Sequence, residues 1–172
     1  PERINTVLVP LGSLEPHGVI PNGTDNLAPE IMAKAIAKET NALIAPVLNY
    51  GITPSMAAYP GAVTVSSGAY RKFVSDLLEG IADNGFKNII ILNGHGGNTD
   101  VLTSLIPVIS GRHGVRVLLI NWWSLTLDIT KEVFGENGGH AGNNETAYIQ
   151  AVYPEHIHPE RYSEEMTMAV SQ

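Results

Sequence analysis

The chain contains no cysteine. That removes disulfide scaffolds, thiolate zinc sites, iron–sulfur clusters and cysteine nucleophiles, and it suits a reducing compartment, so a cytoplasmic location is expected. Charge is scarce. Asp, Glu, Lys and Arg make up 16% of the residues, against roughly 25% in an average domain, so part of the surface is expected to be covered by a homo-oligomeric contact. Basic residues are the scarcer kind, ten against seventeen acids for a net charge of -7. With no basic run, neither nucleic acid nor an anionic lipid surface is an expected partner. No apolar run approaches the ~18 residues of a spanning helix. The opening PERINTVLVP has no charged-then-apolar leader layout. It also lacks Met, as if residues had been lost before Pro1.

What is present is a chain of 172 residues, 44% hydrophobic, enough for one domain that buries about 70% of its unfolded surface. A single domain over 1–172 is expected. Short apolar runs at 6–11 (TVLVPL), 42–48 (ALIAPVL), 88–92 (NIIIL) and 115–120 (VRVLLI) read as strands. Between them lie segments of helical period. One carries Leu27, Ile31, Met32, Ala35 and Ile36 after the cap candidates Asp25 and Asn26. A second follows Ser66 or Ser67 and closes at Gly85. A third opens at Thr99, with Pro107 as a kink candidate, and a last short helix starts near Asn143 or Asn144. Continuous apolar strands alternating with helices predict a Rossmann-like α/β three-layer sandwich, with a mainly parallel sheet of at least four strands. Residues 155–172 are polar and irregular and read as a tail or an oligomer contact.

The unusual residues fall where such a sheet places its ligands, outside the carboxyl ends of the strands. GSLEPHG follows the first strand, NGHGGN the third, and NWW is expected to end the fourth. On the first loop Glu15 and His17 are two apart, the spacing that turns both side chains to one side of an extended segment. Taken alone, both are ordinary solvated loop residues, and Asp25 is an ordinary helix cap. His95 is flanked by Gly94 and Gly96, which leave its ring unobstructed. The glycines either cradle an anion at a helix N-terminus or present the histidine as a ligand. The ligand reading is favoured because neither phosphate-loop spacing is met and no Lys is near. In the third cluster, GGHAGNNET, His140 sits on a Gly-rich loop and Glu145 in the first turn of a helix. The ordinary readings there are a surface turn and a favourable dipole contact. His113, His156 and His158 lack such framing and read as surface residues. Three carboxylates and two imidazoles (Glu15, His17, Asp25, His95 and Glu145) are a ligand set for two divalent ions, zinc, manganese or iron(II). Such a pair about 3.5–4 Å apart activates water and polarises a carbonyl, with His140 left to shuttle protons.

GSLEPHGVIPNGTD resembles the first signature of the creatininase (creatinine amidohydrolase) family, G-[ST]-x-E-x-H-G followed by P-x-G-T-D. NGHGGN and HAGNNET resemble its second and third signatures, in the same order. The resemblance runs from Val7 to about Tyr153. It implies a metal-dependent amidohydrolase that opens a small cyclic amide or removes a formyl group, commonly as a hexamer. It also implies Glu15, His17, Asp25 and His95 as metal ligands, Asp25 as the bridge and His140 as the catalytic histidine. Glu145 corresponds to the acid of the third signature. In creatininase proper a metal-binding Glu stands two residues after the second-signature His. Here Gly97 stands there, so the fifth ligand role passes to Glu145, and the departure points away from creatinine and toward the HGGN branch. Trp122, Trp123, Gly96 and Gly97 are the expected substrate contacts, although both indoles could equally pack a subunit contact. Met56, Ala57 and Ala58 are either an apolar pocket wall or ordinary packing, with packing favoured. Two alternatives stand beside the amidohydrolase. One is metal-assisted hydrolysis of a cyclic ketone or sugar-like substrate, and the other is a non-catalytic anion-binding α/β module.

Overall fold

The computed structural model describes residues 4–164. Four strands, β1 (Thr6–Leu11), β2 (Ala42–Ile44), β3 (Asn88–Asn93) and β4 (Arg116–Asn121), pair all-parallel in the order β2-β1-β3-β4. The long helices are α1 (Thr24–Glu39), α2 (Ser67–Asp83) and α3 (Thr99–His113). Alternate residues of the central strands face opposite layers. Val7, Val9, Leu11, Ile89 and Ile91 pack with Val74 and Leu78 of α2 and with Leu102, Leu105 and Ile109 of α3. Leu8 and Leu92 pack with Ala33, Met32 and Ile36 of α1 on the other face. This double burial is why the two central strands are apolar along most of their length. It also realises the expected three-layer α/β sandwich.

The expected strand at 42–48 is shorter than its apolar run. β2 stops at Ile44, before Pro46, and only Leu48 returns to bridge Leu11. Pro10 is tolerated in a central strand for a related reason. Its carbonyl accepts from Leu48 N–H on the β2 side, so its missing N–H also faces the side that β2 has left. The fourth strand ends at Asn121, one residue before the tryptophans. Trp122 and Trp123 begin α4 (Trp122–Leu125), which leads into α5 (Leu127–Phe134); neither helix is apparent from the pattern. The chain then reaches α6 (Asn143–Val152). The described part of the C-terminal segment is not a free tail. It forms two 3-10 turns, Pro154–His156 and Pro159–Arg161, and His158 N–H donates to the Val19 carbonyl at 2.8 Å. Residues 165–172 lie outside the described residues.

Strand order reverses between β1 and β3, because β2 lies on one side of β1 and β3 on the other. The loops leaving β1 and β3 are therefore the two that diverge around the switch point, where a cleft must open.

Candidate metal centre

Asp25 is fixed first. It is not the cap of α1, as the ordinary reading had it. Gly23 occupies the cap position, the helix begins at Thr24, and Asp25 lies buried in its first turn. The helix start is wedged between the ends of β1 and β3. A Cβ at Gly12 or Gly94 would stand 2.1 or 1.9 Å from the Asp25 carbonyl oxygen, so only glycine allows this approach. Asp25 Oδ1 then lies 3.0 Å from His17 Nε2, and Oδ2 lies 2.9 Å from His95 Nδ1. Ser13 Oγ donates to Oδ2 at 2.8 Å.

The remaining candidates assemble around this carboxylate. Glu15 Oε1 is 3.1 Å from His95 Nδ1 and 3.3 Å from His140 Nδ1. Thr53 Oγ1 donates to Glu15 Oε2. Glu145 enters from α6, with Oε2 3.6 Å from His17 Nε2 and accepting from Ala141 N–H at 2.7 Å. Ala141 holds φ at 52° to make that bond. The ligand atoms group into Glu15–Asp25–His95 and His17–Asp25–Glu145, with Asp25 in both; Glu15–His17–His140 is a third grouping of the same tightness, within 4.8 Å.

The outer nitrogen of each ring is committed to a backbone carbonyl. His17 Nδ1–H donates to Glu15 O at 2.9 Å, His95 Nε2–H to Ile52 O at 2.9 Å and His140 Nε2–H to Pro16 O at 2.7 Å. A carbonyl can only accept, so these bonds fix which nitrogen carries the outer proton and turn the other one inward, the arrangement that orients metal-ligating histidines. Gly97 serves this orientation. A Cβ on it would meet Ile52 O at 2.1 Å and His95 Nε2 at 2.6 Å, displacing the bond that orients His95.

Glu15, His17, Asp25, His95 and Glu145 are all at most 9% exposed, and no Lys or Arg lies among them. Buried carboxylates need a counter-charge, and the imidazoles supply it. Burial pushes the His17 ring down, but the hydrogen bond and charge of Asp25 and the charge of Glu145 outweigh it and carry its pKa up to about 9. His95 rises to about 10 against the same burial, through Asp25 and Glu15. Burial opposes ionisation of Glu15 too, yet His140, His95 and Thr53 hold it well below the ordinary carboxylate range. Asp25 is lowered against burial by His17 and His95. Glu145 goes the other way, raised by burial and by the Asp25 charge beside it. A buried set of three carboxylates held by shared protons fits divalent cations, which replace those protons with fixed positive charge.

The centre forms the floor of a cavity of about 560 Å³ whose walls include Ser55, Met56, Trp123, Leu127, Asn137 and Asn144. Gly96 lines it. Of the two tryptophans expected as substrate contacts, only Trp123 reaches it. Trp122 is buried against Tyr148, with ring centroids 5.6 Å apart. Met56 is buried at the wall, whereas Ala57 and Ala58 are exposed. The sequence reading missed Ser13 and Thr53, whose hydroxyls seat the two shared carboxylates. Ser13 stands inside the first signature and was the one with a signal. It also missed Asn98, fully buried, which accepts from Ile52 N–H at 3.0 Å and donates to Gly12 O at 3.0 Å.

A parallel α/β sandwich with a carboxylate–imidazole cluster at its switch point defines a class of α/β proteins with a candidate metal centre. Within it, residues 1–172 match the creatininase family, creatinine amidohydrolase, and the chain belongs to that family. It is 30% identical over 92% of its length to 3-dehydro-scyllo-inosose hydrolase of Thermotoga maritima, covering 54% of that protein. It is 24% identical over 90% of its length to creatinine amidohydrolase of Pseudomonas putida, covering 67%. It is 25% identical over 88% to the mycofactocin precursor peptide peptidase of Mycolicibacterium smegmatis, covering 59%. The chain thus spans about half to two-thirds of the curated relatives it matches. A crystal structure of creatinine amidohydrolase shares the fold with a TM-score of 0.83 at 24% identity, over 92% of this chain and 68% of that one. A manganese creatininase shares it with a TM-score of 0.81 at 24% identity, over 91% and 68%.

Proposed function

We propose that the chain is a dinuclear metal hydrolase acting on a non-peptide C–N bond in a small cyclic amide or formamide. The observation that carries this reading is the pair of ligand triads sharing Asp25, with the outer nitrogens of His17 and His95 bonded to backbone carbonyls. Two divalent ions, zinc, manganese or iron(II), supply activated water and polarise the scissile carbonyl when bound. Glu15, Asp25 and His95 would hold one ion, and His17, Asp25 and Glu145 the other. His140 is exposed at the rim, anchored through Nε2–H to Pro16, with Nδ1 turned toward Glu15. It carries the proton delivered to the leaving nitrogen. Trp123, Met56 and Leu127 give the substrate a flat and apolar wall. The Gly97 position supports the HGGN branch, since a side chain there would displace the Ile52–His95 bond.

A second reading, hydrolysis of a cyclic ketone in a sugar-like ring, is favoured by the 30% identity to an inosose hydrolase. The anion-module reading fares worse, because an anion beside His95 would face Glu15 and Asp25 at the same nitrogen. The chain also acts as a homo-oligomer on this reading, with a hexamer favoured. Leu125, Ile129 and Val133 stand exposed along α4 and α5 and are suited to a subunit contact.

Metal analysis and a substrate screen test the proposal together. About two equivalents of metal per chain are expected, with both lowered in Asp25→Asn, and turnover of lactams or formamides. Turnover of cyclic ketones alone would favour the second reading. Protein that takes up no zinc, manganese or iron would sink both.

A further inference from the structure

Outside the metal centre, His156, His158 and Arg161 line a second cleft of about 250 Å³. The sequence PEHIHPER explains why they converge. Pro154 and Pro159 each open a 3-10 turn, where the fixed φ of proline fits the first position. Between the turns Ile157 is extended, at φ -93° and ψ 127°, so His156 and His158 are two apart across an extended residue and return to the same side. His158 then caps the second turn and Arg161 closes it, the three-residue spacing that eclipses side chains in a 3-10 turn.

The opposite wall is residues 18–22, fastened by the bond from His158 N–H to Val19 O. This segment runs between His17 and Asp25. Its Asn22 carbonyl accepts from Glu15 N–H at 3.1 Å, so the cleft backs onto the metal-ligand loop while sharing none of its ligands. No carboxylate lines the cleft. Glu160 stands outside the lining and pairs with two of its side chains, 3.1 Å from His158 Nδ1 and 4.0 Å from Arg161 Nε. In a chain of net charge -7, a cleft lined by a permanent cation, two imidazoles and no acid selects anions. By contrast, a cavity of about 410 Å³ at the amino end of the sheet, between Thr6, Ile36 and Ile90, has no charged side chain in its lining.

We propose that the cleft lined by His156, His158 and Arg161 binds a phosphate group, as inorganic phosphate or a small phosphate monoester. The planar guanidinium of Arg161 offers paired donors to two oxygens, and the imidazoles flank the third. A carboxylate has only two oxygens and would leave one of these three side chains without a partner.

Calorimetric titration of the metal-loaded chain with inorganic phosphate, glucose 6-phosphate and acetate tests this. Divalent ions also attract phosphate, so Arg161→Ala and Glu145→Gln are titrated in parallel. Arg161 is largely exposed, so its replacement is expected to leave the fold intact. The expected result is phosphate binding that weakens about tenfold or more in Arg161→Ala and persists in Glu145→Gln. Tighter binding of glucose 6-phosphate identifies the ester as the ligand, and equal binding identifies the phosphate group alone. Either of three results overturns the proposal: no phosphate binding, identical binding by Arg161→Ala and the unaltered chain, or acetate binding as tightly with the same dependence on Arg161.

Discussion

At the scale of single residues, Glu145 and His140 stand five apart and have different surroundings. Glu145 is fixed by a helix start and by the Ala141 N–H, and it is buried beside His17. A fixed, buried carboxylate suits a ligand, whereas His140 is on a turn with a quarter of its side chain exposed. Glu145→Gln is therefore expected to lower metal content together with turnover. His140→Ala is expected to keep both metals and lose about 10²–10⁴ in turnover. Metal analysis and turnover on the same two preparations decide it, and metal loss in His140→Ala with full metal in Glu145→Gln would reverse the assignment. Far from the centre, Tyr70 presents the opposite case. Its ring is buried in the main core, its hydroxyl has no hydrogen-bond partner among the described residues, and burial pushes its pKa far up. Removing an unpaired buried hydroxyl relieves its desolvation, so Tyr70→Phe is expected to raise stability by about 1 kcal/mol in urea unfolding. A loss of that size would mean that the hydroxyl is bonded after all.

At the scale of elements, Asn98 ties three segments together. It receives the Ile52 N–H and reaches the Gly12 carbonyl, and Ile52 in turn orients His95. Asn98→Ala leaves two buried backbone groups unpaired, at a cost of about 1–3 kcal/mol. It is also expected to weaken the metal held with His95, which metal competition at matched stability would separate from simple unfolding. Intact metal affinity in a destabilised Asn98→Ala would show that the Ile52 carbonyl holds its place unaided. The same segments show what could be read from sequence. The four strands and α1, α2, α3 and α6 carry their own periodicity and turn residues, and the Gly-flanked histidines stand at strand ends where ligands bind. The segment holding Thr53 has no such mark. It reaches the centre through the long-range bonds it donates to Asn98 and Glu15, which no local pattern encodes. Trp122 and Trp123 fail for a similar reason. An apolar run continuing past Asn121 looks like more strand, and only packing against Tyr148 shows that the chain has turned into a helix.

At the scale of the whole molecule, the centre couples protons to stability, and on the proposed reading it couples metal to both. In the metal-free protein the pKa values of His17 and His95, about 9 and 10, stand above the 6.5 of an unperturbed histidine. A group whose pKa rises on folding stabilises fully below its unfolded pKa and loses that contribution as pH climbs through the folded value. Glu15 and Asp25 are depressed, so their contribution is present above about pH 4 and is lost in acid. Glu145 is raised by burial and opposes them once pH passes the ordinary carboxylate range. The metal-free chain should therefore be most stable near pH 5–6.5. Between pH 6.5 and 9 it should lose on the order of a few kcal/mol, roughly 5–10 °C in its unfolding midpoint. Metal loading displaces the same protons, because nitrogen ligands must be neutral. The loaded protein should accordingly keep its midpoint over that range, and binding should release protons, read as a dependence of the binding heat on buffer ionisation enthalpy. A midpoint of the chelated protein that stays flat or rises from pH 6.5 to 9 would falsify the view that imidazolium–carboxylate pairs hold the site together until the ions arrive.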